Sequence, residues 1–114
     1  MTTQRARRVA KQVLQETSAI IERELGDPRL TEVTLTGARM TADLRNITIS
    51  YSCLGGPGNR STAAAALSGS SRRLRRQVAQ ALGLRFAPFI KFEFDDSLER
   101  ADRIDRLLAK AGKD

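Results

Sequence analysis

Between Asn46 and Cys53 the chain alternates without interruption. Ile47, Ile49, Tyr51 and Cys53 fall on one side of a strand, and Thr48, Ser50 and Ser52 fall on the other. Such a strand has one face in a core and one in water, as in a sheet covered on a single side. Upstream, Leu30 to Thr41 alternates at Val33 and Leu35 and changes phase before Met40, which predicts a bulge near Gly37-Ala38. A short turn, Ala42-Asp43-Leu44-Arg45, joins these two strands. Well downstream, Ile90, Phe92 and Phe94 oppose Lys91 and Glu93 in a third strand.

The remaining segments read as helices. From about Thr3 to Glu24, apolar residues recur at Ala6, Val9, Val13, Ile20 and Ile21, and Gly26-Asp27-Pro28 stops the helix. Gly55-Gly56-Pro57-Gly58-Asn59 is a loop by composition. It spells G-x-x-G, the backbone clamp of KH domains, but that clamp joins two helices and this loop follows a strand. Ser61 to Leu67 is an alanine-rich helix, Ser68-Gly69-Ser70 interrupts it, and a further helix runs from Ser71 to Leu82 before Gly83 ends it. The four residues Ser68, Gly69, Ser70 and Ser71 thus form an expected interhelical kink. A last helix from about Leu98 to Ala109 is expected to bury Leu98, Ala101, Ile104 and Leu108, with Asp96 or Ser97 as cap and Glu99 closing a capping box. The fold class is α+β: one domain over residues 1–110, with 111–114 a frayed tail.

Charge points to the partner. From Leu44 to Phe92 there are Arg45, Arg60, Arg72, Arg73, Arg75, Arg76, Arg85 and Lys91, and no Asp or Glu. At about 100° per residue, Leu74, Val78, Ala81 and Leu82 line one side of a helix and Arg72, Arg73 and Arg76 the other, with Arg75 at the seam. Ser70 or Ser71 at its start can cap amide groups that attract anions. Arg5, Arg7, Arg8 and Lys11 crowd the first turns of the first helix, where their charge opposes the helix dipole unless an anion is bound. A solvated charged face is the plain alternative, but solubility is served by mixed signs and this window has one. With a net charge of +7 and 16 arginines among its 20 basic residues, the chain favours phosphate, which a guanidinium grips in a fork. Four Phe, one Tyr and no Trp argue against a reader of single strands built on stacking platforms.

Little else carries chemistry. There is no His, and Cys53 is the sole cysteine, expected in the core, so no thiolate zinc site and no internal disulfide can form. Nucleotide-binding glycine motifs and a nucleophile elbow are missing, no cofactor or metal is expected, and Asp95-Asp96 reads as a helix cap rather than an acid pair. No apolar run approaches the roughly 20 residues that span a bilayer, and a cytoplasmic location is expected.

The order helix, strand, strand, helix, kink, helix, strand is that of the bacterial, type II KH domain. The motifs are more particular: Arg7-Arg8-Val9, Asp27-Pro28-Arg29-Leu30, Asp43-Leu44, Leu74-Arg75, Leu84-Arg85-Phe86-Ala87-Pro88 and Phe92-Glu93-Phe94-Asp95-Asp96-Ser97. In these the chain resembles the ribosome-binding factor A family of small-subunit assembly factors along nearly its whole length. The resemblance implies a KH-like fold in which an Ala-x-Gly kink replaces the G-x-x-G clamp. It also implies binding of the small (30S) subunit and its 16S rRNA late in maturation and pre-rRNA processing, without catalysis, often linked to growth in the cold. The family's Ala and Gly fall on Ser70 and Arg72, with Gly69 displaced, and Arg73 stands where a hydrophobic residue is usual.

The resulting expectation is a monomeric RNA-binding domain, working with the small subunit and possible further assembly factors. Arg72, Arg73 and Arg76 lead the contacts, followed by Arg75, Arg85, Lys91, Arg60 and Arg45, and extended by Arg5, Arg7, Arg8 and Lys11. The alternatives are a KH-like domain for free RNA or DNA, an rRNA-processing nuclease, and a basic adaptor for a protein or an anionic membrane.

Overall fold

A computed structural model describes residues 3–112. The first helix, α1 (Gln4–Ile20), starts at Thr3, whose side-chain oxygen accepts from the Ala6 amide at 3.0 Å. Its inward face is Ala6, Val9, Ala10, Val13, Thr17 and Ile20. One wider π turn, Ile21–Leu25, leads to Gly26 at φ 52°, a left-handed position that glycine takes without strain. Asp27 then caps a short 3-10 turn, Pro28–Leu30, by accepting from the Arg29 amide at 2.9 Å. Leu30, expected at the start of a strand, instead ends this turn and is buried.

The sheet has three strands, β1 (Val33–Met40), β2 (Asn46–Cys53) and β3 (Phe89–Phe94), in that spatial order. β1 runs antiparallel to β2, and β3 parallel to it with Ile47 beside Ile90 and Tyr51 beside Phe94. Leu35 opposes Tyr51 and Gly37 opposes Ser50, so Thr36 is the extra residue of a bulge one position before the expected site. The β1–β2 turn closes with the Leu44 amide donating to the Thr41 carbonyl at 2.9 Å. Cys53 is half-buried, outside the core where it was expected, because β2 ends there.

A parallel return from β2 to β3 requires a crossover, and α2 (Gly56–Leu82) supplies it as one helix of 27 residues. Here the structure corrects the sequence reading. Ser68, Gly69, Ser70 and Ser71 do not separate two helices; the helix runs through them, and its first turn takes in part of the glycine loop. The reason is packing. Ala66 and Leu67 before the expected kink and Leu74 and Val78 after it are all fully or almost fully buried, and keeping both groups in register outweighs the weak helix propensity between them. Gly69 is exposed with open space around a would-be Cβ, so Gly69→Ala should stabilise the fold by about 1 kcal/mol. A denaturation midpoint that fell would show a conformation at Gly69 that alanine cannot share.

Both long helices cover the same face of the sheet. The main core joins Val9 and Val13 of α1, Met40, Ile47, Ile49 and Ile90 of the strands, and Leu74 and Val78 of α2. A second cluster, Leu30, Tyr51, Ala66 and Leu67, lies toward the other end. The opposite face of the sheet carries Thr48 and Ser50, partly exposed, and Lys91 and Glu93, exposed, and no described helix packs on it.

The last helix, α3 (Ser97–Ala111), departs from expectation. Ala101, Ile104 and Leu108 are exposed, the last two by 56% and 66%, and the side chain of Leu98 lies outside the described residues. The amphipathic pattern is present, but α1 and α2 already close the core and α3 stands off it. This explains a radius of gyration of 16.5 Å, where a compact chain of this length has about 13 Å. Asp96 occupies the N-cap position as expected, but its side chain makes no capping bond and Glu99 pairs with Arg60 instead of closing a capping box; Asp95 accepts from the Ser97 amide at 2.9 Å. Of the expected tail, Ala111 ends α3, Gly112 follows it, and Lys113 and Asp114 lie outside the described residues.

Candidate nucleic-acid interface

Helical spacing and the buried residues of each helix fix which arginines face outward. On α2 the inward line runs through Ala63, Leu67, Leu74 and Val78, which puts Arg72 and Arg76 on the opposite ridge with Gly69, all three exposed. Arg72 and Arg76 are one turn apart, about 6 Å along the axis, close to the spacing of successive phosphates. Arg73, also exposed, occupies the flank opposite Arg75. On α1 the same construction turns Arg8 and Lys11 straight out and leaves Arg5 and Arg7 on the two flanks, all exposed.

Two expected RNA contacts, Arg75 and Arg60, have partners inside the fold. Arg75 donates from Nε to the Pro88 carbonyl at 2.9 Å and from Nη2 to the Ala87 carbonyl at 3.2 Å, and its guanidinium lies 3.9 Å from the centre of the Phe89 ring. It ties α2 to the segment entering β3, and Ser71 adds a hydroxyl bond to the Ile90 carbonyl at 3.2 Å. Arg60 holds both Glu99 oxygens, at 2.7 and 2.9 Å, and lies 4.0 Å from the Phe94 ring centre. Its charge is matched, and its role is to join the first turns of α2 and α3.

The other candidates separate. Arg45 and Arg85 approach one exposed ring, Phe86, at 4.8 and 5.6 Å, and Arg5 lines the same corner. Lys91 is on the open face of the sheet, turned away from the helix layer by the alternation that buries Ile90. One surface therefore gathers Arg5, Arg8, Lys11, Arg72 and Arg76 from the helix layer, and Lys91 is not part of it.

Three carboxylates help shape the loops around this layer, and all are held below the usual carboxylate range. Arg29 does this for Asp27 through its side chain and amide, the Thr41 hydroxyl and Arg45 amide do it for Asp43, and the Ser97 side chain and amide with Thr36 do it for Asp95. A depressed native value contributes stability above the unfolded value, about 3.9, that is lost as pH falls through the native one. The denaturant midpoint should thus be flat from neutral pH to about 5 and fall below about 4. Asp27→Asn, Asp43→Asn and Asp95→Asn combined should flatten that fall; an equally steep one would assign acid sensitivity elsewhere.

Comparison with known proteins decides the family. The sequence profile described as ribosome-binding factor A matches residues 5–108. The chain belongs to the ribosome-binding factor A family. The ribosome-binding factor A of Saccharopolyspora erythraea is 43% identical over 109 residues, which cover 96% of this chain and 66% of that protein. The chain thus spans just under two thirds of that relative's length. The crystal structure of ribosome-binding factor A from Thermus thermophilus matches with a TM-score of 0.69 and 24% identity, over 77% of this chain and 93% of that one. A homology model of the Thermus thermophilus factor, fitted into a cryo-EM map of a 30S–RbfA complex, matches at 0.58 and 23%, over 79% and 90%. These two structures share the fold.

The α+β, KH-like order expected from sequence is therefore that of the ribosome-binding factor A fold, with α2 continuous here. Among the described residues no helix is long and apolar enough to cross a membrane, and no group of three or more potential ligands is placed to hold a metal. Sequence reasoning missed the exposed rings of Phe86 and Phe89, 52% and 62% accessible. The signal was available: in Leu84-Arg85-Phe86-Ala87-Pro88-Phe89 one arginine and two phenylalanines crowd the entry to the strand, and Phe89 falls out of phase with the buried Ile90.

Proposed function

We propose that this chain is a non-catalytic assembly factor that binds the small ribosomal subunit through its 16S rRNA during late maturation and pre-rRNA processing. The observation that carries the reading is the outward ridge of α2 with α1 beside it. Arg72, Arg76, Arg8, Lys11 and Arg5 share the helix layer, and none of the five makes an ion pair among the described residues. Family membership supplies the partner, since a relative of the same fold is described in a complex with the 30S subunit. In this reading the chain acts as a monomer in the cytoplasm, with residues 1–110 as the binding unit, alongside other assembly factors.

Binding by guanidinium groups on a helical ridge reads backbone shape, and the resulting affinity falls with salt as counterions are released. The test is co-sedimentation of the purified chain with mature and immature small subunits and with large subunits across a salt series. Retention on small subunits, strongest on immature ones and persisting at salt that clears the large subunit, is the expected result. Equal binding to both subunits that disappears together would reduce the protein to a general polyanion binder. Tighter binding to naked RNA than to subunits would favour a free-RNA role.

A further inference from the structure

We propose that the corner between Phe86, the β1–β2 turn and the start of α1 is a pocket for one unstacked nucleobase bearing hydrogen-bond donors on its edge, guanine foremost. The inference deepens the RNA-binding reading above and rests on it. Large rings are costly to leave in water, yet Phe86 is 52% exposed beside a cavity of about 410 Å³, a size typical of small-ligand sites. The cavity is lined by Arg5, Asp43, Leu44, Leu84, Arg85 and Phe86, among others. Arg45 and Arg85 stand 4.8 and 5.6 Å from the ring centre, so a base stacking at this ring has two cations within reach of its own phosphate.

Asp43 gives the pocket its edge preference. A carboxylate among Arg5, Arg45 and Arg85 repels phosphate, which makes it a poor choice for a surface that binds backbone alone. Its Oδ1 is taken by the Thr41 hydroxyl at 2.6 Å and the Arg45 amide at 3.1 Å, which fix the side chain in place. Oδ2 makes no hydrogen bond among the described residues, and Asp43 is an exposed residue that lines both this cavity and a second one across the turn. An ionised carboxylate only accepts, so its complement must donate. Guanine brings an imino and an amino donor side by side onto that one free oxygen, which has a lone pair for each, whereas adenine and cytosine offer the amino group alone. Leu44, next in the chain, is the one non-glycine residue described at positive φ, 62°, a conformation that costs about 1 kcal/mol or more. Strain of that kind gathers where a surface is shaped for a ligand.

The test measures binding of the full chain to labelled heptauridylates whose central position is guanine, adenine, cytosine or abasic. The guanine oligomer should bind about tenfold more tightly than the abasic one, in keeping with stacking of a single base. Phe86→Leu, at an exposed position that spares the fold, should lose most of that preference and keep the salt-dependent background. Asp43→Asn should keep the gain over the abasic oligomer and lose the discrimination between guanine and adenine. Equal binding of guanine and abasic oligomers by the unaltered chain, or a preference that survives Phe86→Leu, would overturn the pocket. Subunit co-sedimentation run in parallel separates the two claims. Small-subunit binding without base preference removes the pocket alone, and base preference without small-subunit binding keeps the pocket and removes the assembly-factor reading.

Discussion

Reversing the charge of the α2 ridge with Arg72→Glu and Arg76→Glu together is expected to lower small-subunit affinity by about 100-fold and to reduce the log–log salt slope by about 2. Both side chains are exposed, lie opposite the buried line of α2 and are one turn apart, so their replacement leaves Leu74 and Val78 in place. The fold should persist, and circular dichroism with an unchanged denaturation midpoint is the control. Alanine at both positions should give the same direction with a smaller loss, because it removes attraction without adding repulsion. Affinity unchanged at low salt in the folded double variant would move the RNA surface off α2.

Arg75→Ala is expected to act on stability, with a loss of about 3 kcal/mol and a fall in Tm of roughly 10–20 °C. The half-buried guanidinium holds the carbonyls of Ala87 and Pro88 and covers the Phe89 ring, so its removal leaves acceptors without a donor and a ring without a lid. Arg75→Lys separates this role from charge. A lysine keeps the cation but cannot serve two carbonyls and a ring at once, so it should recover less than half of the loss. Full recovery of stability with lysine would show that charge, rather than the planar fork, is what the site uses.

The ridge arginines and Arg75 stand within one short run, and the sequence could not tell their roles from each other. Helical periodicity placed Arg72 and Arg76 outside and Arg75 at the seam correctly, but what a seam residue meets depends on where the chain returns. Pro88 and Ala87 arrive beside Arg75 only because β3 pairs with β2 in parallel. Arg60 has the same history, since Glu99 reaches it from far along the sequence. The alternation of β2 was legible from Ile47 to Tyr51, because one-sided burial imposes a period of two, and failed only at Cys53, where the strand ends. The Ser68-Gly69-Ser70 stretch was not, because helix propensity is a local quantity and the burial of Leu67 and Leu74 that overrides it is tertiary. α3 shows the limit from the other side. Its apolar stripe was visible, yet amphipathicity states that a face can be covered and leaves open what covers it; among the described residues nothing does. The fold order came from the two periodicities and the turn residues between them, and the family from short motifs spread along the chain.

In the proposed binding mode the helix layer, rather than the open face of the sheet, lies against small-subunit rRNA. Hydroxyl-radical footprinting of the small subunit with the unaltered chain, with Arg72→Glu/Arg76→Glu and with Arg39→Glu tests it most directly. Arg39 is on β1, paired with Glu93 at 3.4 Å, and reports on the sheet. The expected result is one compact set of backbone protections that the α2 variant loses and the Arg39 variant keeps. Protections kept by the α2 variant and lost with Arg39→Glu would contradict it and turn the molecule over on its RNA.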